Sequence, residues 1–129
     1  GAPLRPEDQD FSVLTGGRAP ARIQEVAFRG ILPSQLQKLV RFVRSRCKAG
    51  SDVVEGWHDT FSGAKKLRWQ DINLYHLSSW VIAPLTAASH LRCSYVEAVA
   101  EDPQEQRPAW FVSHWWGEPV VDFVACIVR

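Results

Sequence analysis

The sequence contains no methionine, three cysteines and almost no imbalance of charge. Fifteen Lys and Arg against 14 Asp and Glu leave a net charge of +1, which provides no broad field to attract phosphate backbones or anionic membranes. Nucleic acid is therefore not an expected partner. The cysteines Cys47, Cys93 and Cys126 lie far apart and form no Cys-x-x-Cys pair. This excludes a secreted disulfide scaffold and a regular zinc module, and favours an intracellular, reducing compartment.

The missing methionine favours two origins for the chain. Either a leader was removed, which would be compatible with delivery to a plastid or mitochondrion, or the chain is a fragment of a larger polypeptide. The apolar run at residues 120–128 has no Gly, Asn or Pro after it. Because Gly, Asn and Pro are the residues that commonly end a helix, their absence here favours the fragment origin.

Long apolar runs and phosphate-binding loops are also missing. The longest apolar stretches, residues 77–85 and 120–128, fall short of the roughly 20 residues that cross a bilayer, so no membrane span is expected. Thr15-Gly16-Gly17-Arg18 lacks the spacing of a phosphate-binding loop. No convergent set of His, Cys or carboxylate residues is evident, and we expect neither a metal nor a cofactor.

What remains is the composition of an ordinary soluble domain, with 46% hydrophobic and 22% charged residues. Residues 1–20, rich in Pro, Gly and charge, predict an extended N-terminal arm. Residues 21–129 predict a single helix-rich domain or domain fragment. The expected fold class is mainly α with a minor β component (α+β), in which a small helical unit is followed by a strand, a turn and a helix as part of a larger fold.

Helix signals recur along the chain. A short helix is expected over residues 21–31, ended by Pro33. Ser34 with Gln37 and Ser94 with Glu97 form capping-box patterns that predict helices after them, and Asn73 or Asp71 predicts a helix ending near Pro84. Loops are expected at residues 56–59, 62–63 and 101–108. The periodic apolar residues predict a core of Leu36, Leu39, Val40, Val43, Leu74, Leu77, Val81, Phe111, Phe123 and Ile127.

The C-terminal part carries the most unusual motif. Residues 109–114 predict a strand, a tight turn follows, and Pro119 stands at a plausible first helical position. The candidate ligand or interface turn comprises Ser113, His114, Trp115, Trp116, Gly117 and Glu118. His114 and the helix N-terminus could receive an anion, whereas paired tryptophans more often fill a core or an interface. The turn by itself defines no catalytic pair.

The same segment carries two resemblances. Residues 111–120, FVSHWWGEPV, together with segments around residues 71–75, 80–84 and 94–97, resemble uncharacterised proteins of dinoflagellate algae. More loosely, FVSHWWGEPV is similar to the first strand of Toll/interleukin-1-receptor-like domains. That resemblance implies a flavodoxin-like fold and, in some members, cleavage of nicotinamide dinucleotides by a glutamate well downstream of this strand. No residue of this sequence matches that glutamate.

A candidate basic face lies at the end of the helix that follows Ser34. It comprises Arg41, Arg44, Arg46 and Lys48. These residues could bind an anion, but a solvated helix end stabilised by the helix dipole explains them as well.

Six tryptophans in 129 residues exceed what a small domain is expected to bury alone, and tryptophan is a frequent anchor of protein interfaces. The sequence therefore predicts a non-enzymatic interaction module, an accessory or structural subunit that contacts other protein subunits. The alternative is the N-terminal part of a nucleotide-binding or nucleotide-cleaving Toll/interleukin-1-receptor-like domain.

Overall fold

The fold, seen in a computed structural model, is mainly α with a minor β component, as the sequence predicts. The structure describes residues 4–59, 63, 65–87, 93–108 and 116–128. The α-helices of this part are α1 (Ser12–Thr15), α2 (Pro33–Ser45), α3 (Leu74–Leu77), α4 (Ala83–Ala87), α5 (Tyr95–Val99) and α6 (Val120–Ile127), and the strands are β1 (Val53–His58) and β2 (Lys66–Arg68). Within these ranges, no helix is long and apolar enough to cross a membrane.

Helix α2 forms where its apolar periodicity predicts, but its capping differs from the prediction. Pro33 occupies the first helical position, and the side-chain Oε1 of Gln35 accepts the N–H of Leu32 at 2.9 Å. The predicted pairing of Ser34 with Gln37 is therefore wrong, because Gln35 is the residue that stands third in the helix. The face turned to the interior buries Leu39, Phe42 and Val43.

The predicted loop at residues 56–59 is wrong, because most of it belongs to strand β1, which pairs antiparallel with β2. Val54 and Trp57 are the buried residues of β1. They lie three residues apart, which breaks the period of two that marks a strand. A register irregularity between Val53 and His58 absorbs the difference, and Gly56 within it has a φ of +83° that favours glycine.

The helix predicted after Asn73 begins as expected but does not end at Pro84. The side chain of Asn73 accepts the N–H of His76, and His76 Nδ1 accepts the N–H of Asn73 at 3.0 Å. A π-helical turn, Ser78–Ile82, then leads directly into α4. Pro84 lacks the N–H that an α-helix would use here, but the chain stays helical to Ala87.

The expected extended arm is instead folded onto the core over its described residues, 4–20. A 3₁₀ turn (Pro6–Asp8) and α1 form there, and both Gln9 and Leu14 are buried. Gln9 Oε1 accepts the indole N–H of Trp57 at 2.8 Å, while Gln9 Nε2 donates to the carbonyl of Trp80 at 2.6 Å. That carbonyl has no α-helical donor because Pro84 lacks an N–H. One buried amide therefore connects the N-terminal segment to the interior.

A second amide network replaces the helix predicted over residues 21–31, of which only a 3₁₀ turn (Val26–Phe28) forms. Gln35 and Gln106 exchange reciprocal side-chain hydrogen bonds at 2.7 and 2.9 Å. Gln106 Nε2 also donates to the carbonyl of Gly30, and the N–H of Gly30 donates to the carbonyl of Gln106, both at 2.7 Å. Gln106 is thus buried inside a segment expected to be an exposed loop.

We expect Gly30→Ala to destabilise the protein by about 1–2 kcal/mol, because a Cβ at Gly30 would lie 2.7 Å from the backbone oxygen of Gln106 and 2.9 Å from Cα of Pro108. Urea unfolding would measure the loss. A Gly30→Ala variant as stable as the wild type would show that the two segments can separate freely.

The remaining elements follow the sequence closely. Ser94 and Glu97 form the predicted capping box of α5, and α6 begins one residue after Pro119. The predicted strand at residues 109–114 lies outside the described residues. Of the predicted core, Leu39, Val43, Leu77 and Val81 are buried, Phe111 lies outside the described residues, and the others are half-buried: Leu36, Val40, Leu74, Phe123 and Ile127. The core also contains residues that were not expected there: Leu14, Val54, Trp57, Leu67, Ile72, Val120 and Val124.

Candidate functional site

The candidate turn at residues 113–118 is described only from Trp116 onward, and Ser113, His114 and Trp115 lie outside the described residues. The carbonyl of Trp116 accepts the N–H of Leu74 at 3.1 Å. The Trp116 ring is 49% exposed and lies 5.4 Å from the ring of Tyr75, centroid to centroid. Gly117 and Glu118 are half-buried. The described part of the turn therefore presents Trp116 at the surface, beside Tyr75 of α3.

The start of α6 uses its backbone donors within the protein. The N–H of Val120 donates to the carbonyl of Ile72 at 2.7 Å, and the N–H groups of Asp122 and Phe123 donate to Pro119. An anion at a helix N-terminus is held by N–H groups that lack protein partners. This bonding leaves fewer donors for an anion than the sequence pattern suggested.

The candidate basic face does not converge on one point. Arg44 lies over the ring of Trp69, with its guanidinium carbon 5.0 Å from the ring centroid, and Lys48 pairs with Glu55 at 3.7 Å. Arg41 is exposed, whereas Arg46 is half-buried. Two of the four cations are thus engaged by neighbouring side chains, which agrees with a solvated helix end.

Thiol and imidazole groups form no metal-binding cluster of three or more ligands in the part of the chain that the structure describes. The three cysteines are free thiols, and Cys126 is exposed. His76 is buried and uses Nδ1 as an acceptor for Asn73. Burial lowers the pKa of His76, against the opposing charges of Asp59 and Asp71. The neutral ring therefore serves as part of a helix cap.

Glu97 is a buried carboxylate that holds several segments together. One oxygen, Oε2, accepts the N–H of Ile23 at 2.9 Å, while Oε1 accepts the N–H and hydroxyl of Ser94, both at 3.0 Å. Arg29 Nη2 lies 3.6 Å from Oε1. Burial raises the pKa of Glu97, but the hydrogen bonds from Ile23 and Ser94 and the charge of Arg29 outweigh it and lower the pKa. Glu97 is therefore ionised at neutral pH.

Three exposed apolar side chains follow the segment that Glu97 holds in place. They are Val26, Phe28 and Ile31, and we call them the apolar loop. Val26 is 73% exposed, Phe28 40% and Ile31 38%. The polar groups of the same segment turn inward instead: Arg29 Nε donates to the carbonyl of Ile23 at 2.8 Å, and both backbone groups of Gly30 bond to Gln106. The usual arrangement of an exposed loop, with polar groups outward, is reversed.

This reversal gives the apolar loop a chemistry suited to binding another protein. Its backbone is held by hydrogen bonds between Gly30 and Gln106, so less conformational entropy remains to be lost on association. The guanidinium carbon of Arg107 lies 4.5 Å from the centroid of the Phe28 ring, which adds a cation beside the apolar side chains. Aromatic and arginine side chains are common energetic anchors of interfaces.

The tryptophans divide between the interior and the surface. Trp57 and Trp80 are buried and stack at 5.6 Å, Trp69 is half-buried and Trp116 is exposed, while Trp110 and Trp115 lie outside the described residues. The tryptophan content predicts that some indole rings lie at an interface. Among the described tryptophans, Trp116 is the exposed one.

Sequence reasoning missed the apolar loop because its residues were assigned to a helix. A signal was present: Val26 and Phe28 are two residues apart rather than three or four, and Gly30 and Pro33 follow closely. Both features are typical of a non-helical connection. Comparison of the chain with protein-family models, curated proteins and solved structures finds no match.

Proposed function

We propose that this protein is a non-enzymatic interaction module, an accessory or structural subunit that contacts another protein subunit through the apolar loop. The observation that carries the proposal is the reversed loop: apolar side chains point to solvent from a backbone held by Glu97 and Gln106. Burying three such side chains in an interface would supply several kcal/mol of apolar transfer free energy, at roughly 25 cal/mol per Å².

Two further features support the proposal. The exposed pair formed by Tyr75 of α3 and Trp116 of the turn that the sequence singled out offers a second aromatic surface. The backbone donors at the start of α6 are bonded to Ile72 and Pro119, which favours a packed turn over an open anion pocket.

The double variant Val26→Ser with Phe28→Ser tests the proposal. We expect its free energy of unfolding to fall by no more than about 2 kcal/mol, because Val26 is 73% exposed while Phe28, 40% exposed, loses part of its packing and its contact with Arg107. Its association with other subunits should be lost. The measurement is the native mass of the tagged full chain in an extract of the cells that produce it, with cross-links from the loop identified by mass spectrometry.

Val13→Ser provides the matched control, since Val13 is 70% exposed but lies on α1 outside the loop. Its native mass and cross-links should equal those of the wild type. A wild-type chain that migrates as a free monomer in the extract, or a double variant that keeps the wild-type complex, would refute the proposed function.

A further inference from the structure

A small cavity, which we call the amide cavity, lies where α1, α5 and the start of α2 meet the 3₁₀ turn Pro103–Gln106. Its volume is about 200 Å³, the space of roughly six or seven water molecules at about 30 Å³ each. Drug-sized ligands occupy roughly 300–1,000 Å³. The amide cavity therefore suits a molecule of only a few non-hydrogen atoms.

Two buried side-chain amides line the amide cavity. Gln35 and Gln106 are 9% and 1% exposed, and each donates one side-chain hydrogen bond to the other. Gln35 Oε1 also accepts the N–H of Leu32, and Gln106 Nε2 also donates to the carbonyl of Gly30. Since a side-chain amide has two donor hydrogens and an oxygen that accepts twice, one N–H of Gln35 and one lone pair of Gln106 Oε1 remain. No described residue bonds to either of them.

The hydroxyl of Tyr95 adds a third unused polar group. Tyr95 of α5 lines the amide cavity, and its hydroxyl bonds to no described residue. Burial raises the pKa of Tyr95, and neither a hydrogen bond nor a charge opposes that effect. Buried polar groups normally find partners, because leaving them unpaired costs free energy. A molecule that bonds to these three groups would supply the partners that the described part of the protein lacks.

The rest of the lining favours a neutral occupant with some apolar surface. Leu32 and Val99 contribute hydrocarbon to the cavity wall. Lys38, the cation of this lining, pairs with Glu101 at 3.6 Å, and the exposed Glu105 adds a second carboxylate. An anionic occupant would therefore meet carboxylates without a free cation to offset them.

We propose that the amide cavity binds a small neutral molecule that carries a primary carboxamide and a short branched hydrocarbon group. The carboxamide oxygen accepts from the Gln35 N–H or the Tyr95 hydroxyl, and the NH₂ group donates to Gln106 Oε1. The hydrocarbon group contacts Leu32 and Val99. A carboxylate of the same shape has acceptors only and would face the Gln106 oxygen without a donor. This binding is independent of the proposed function, because the apolar loop does not line the amide cavity.

Titration of the full chain with isobutyramide, followed by proton–nitrogen NMR of the side-chain amides, provides the test. We expect saturable shifts of the Gln35 and Gln106 NH₂ signals with a Kd on the order of 1 mM, since the ligand has few atoms with which to make contacts. Isobutyrate has the same hydrocarbon group but a negative charge and no donor. It should bind at least about tenfold more weakly.

Tyr95→Phe removes the hydroxyl and keeps the aromatic ring. We expect this variant to bind isobutyramide about fivefold more weakly, which is the effect of losing one neutral hydrogen bond. Tyr75→Phe is the matched control, because Tyr75 is exposed on α3 and does not line the amide cavity. Its Kd should stay within about twofold of the wild-type value.

Three outcomes would overturn the proposal. Isobutyramide that causes no saturable shift at Gln35 and Gln106 up to about 20 mM, roughly twentyfold the expected Kd, would show that the cavity holds water only. Equal binding of isobutyrate would contradict the carboxamide assignment, and this comparison uses the wild type, so it holds even if Tyr95→Phe does not fold. A folded Tyr95→Phe variant with the wild-type affinity would contradict the role of the hydroxyl.

Discussion

Gln9→Leu should lower the free energy of unfolding by about 2–4 kcal/mol, although the new side chain has a similar volume and more apolar surface. The loss arises because the Gln9 amide satisfies two buried groups at once, the indole N–H of Trp57 and the carbonyl of Trp80. Leucine can bond to neither. Urea unfolding followed by circular dichroism would measure the change.

Gln104→Leu is the control for this substitution, because Gln104 is exposed and should change stability by less than about 0.5 kcal/mol. Gln9→Glu separates the two bonds: a carboxylate still accepts from Trp57 but cannot donate to Trp80. If Gln9→Leu unfolds with the wild-type free energy, the amide makes no net contribution and the N-terminal segment is held by apolar contacts alone.

Glu97→Ala should cost about 3 kcal/mol of stability, since it removes the capping box of α5 and leaves the buried N–H of Ile23 without a partner. Its ion pair with Arg29 is also lost. Glu101→Ala is the contrasting control, because Glu101 and Lys38 form an exposed pair at 3.6 Å whose removal should change stability by less than about 1 kcal/mol.

The carboxylate of Glu97 also predicts that the stability of the protein depends on pH in the acid range. Because the pKa of Glu97 is lower in the folded protein than the ordinary value of about 4.3, the unfolded state binds more protons below that pH. The stability contributed by ionised Glu97 is therefore complete above about pH 4.3 and is lost as the pH falls toward the folded-state pKa. Glu97→Gln should show a shallower decline over this window when urea unfolding is repeated between about pH 3 and 7. An identical decline in both proteins would assign the acid sensitivity to other groups.

Gln9 and Glu97 both connect parts of the chain that are distant in sequence. Contacts of this kind were the least predictable from the sequence. The capping box of Ser94 and Glu97 was predicted from spacing alone, but the bond from Ile23, 74 residues away, has no local signal. Gln9 stood in a segment expected to be an extended arm, because nothing nearby shows that Trp57 and Trp80 need its amide.

The candidate site shows the same division. The turn at Trp116–Glu118 was singled out from composition, and Trp116 is indeed exposed, whereas the apolar loop was assigned to a helix. Whether Val26 and Phe28 face solvent depends on Gln106 and Glu97, which fix the backbone from another part of the chain. A pattern of local apolar spacing cannot contain that information.

The sequence by itself determined the helix-rich class, the interior face of α2 and the starts of α3 and α5, because these depend on neighbours within one or two helical turns. The tertiary structure alone decided that residues 53–58 form a strand of irregular register, that the chain continues helically through Pro84, and that Val26, Phe28 and Ile31 point outward. The physical reason is common to all three: buried backbone and amide groups must find hydrogen-bond partners, and here those partners come from residues far away in the sequence.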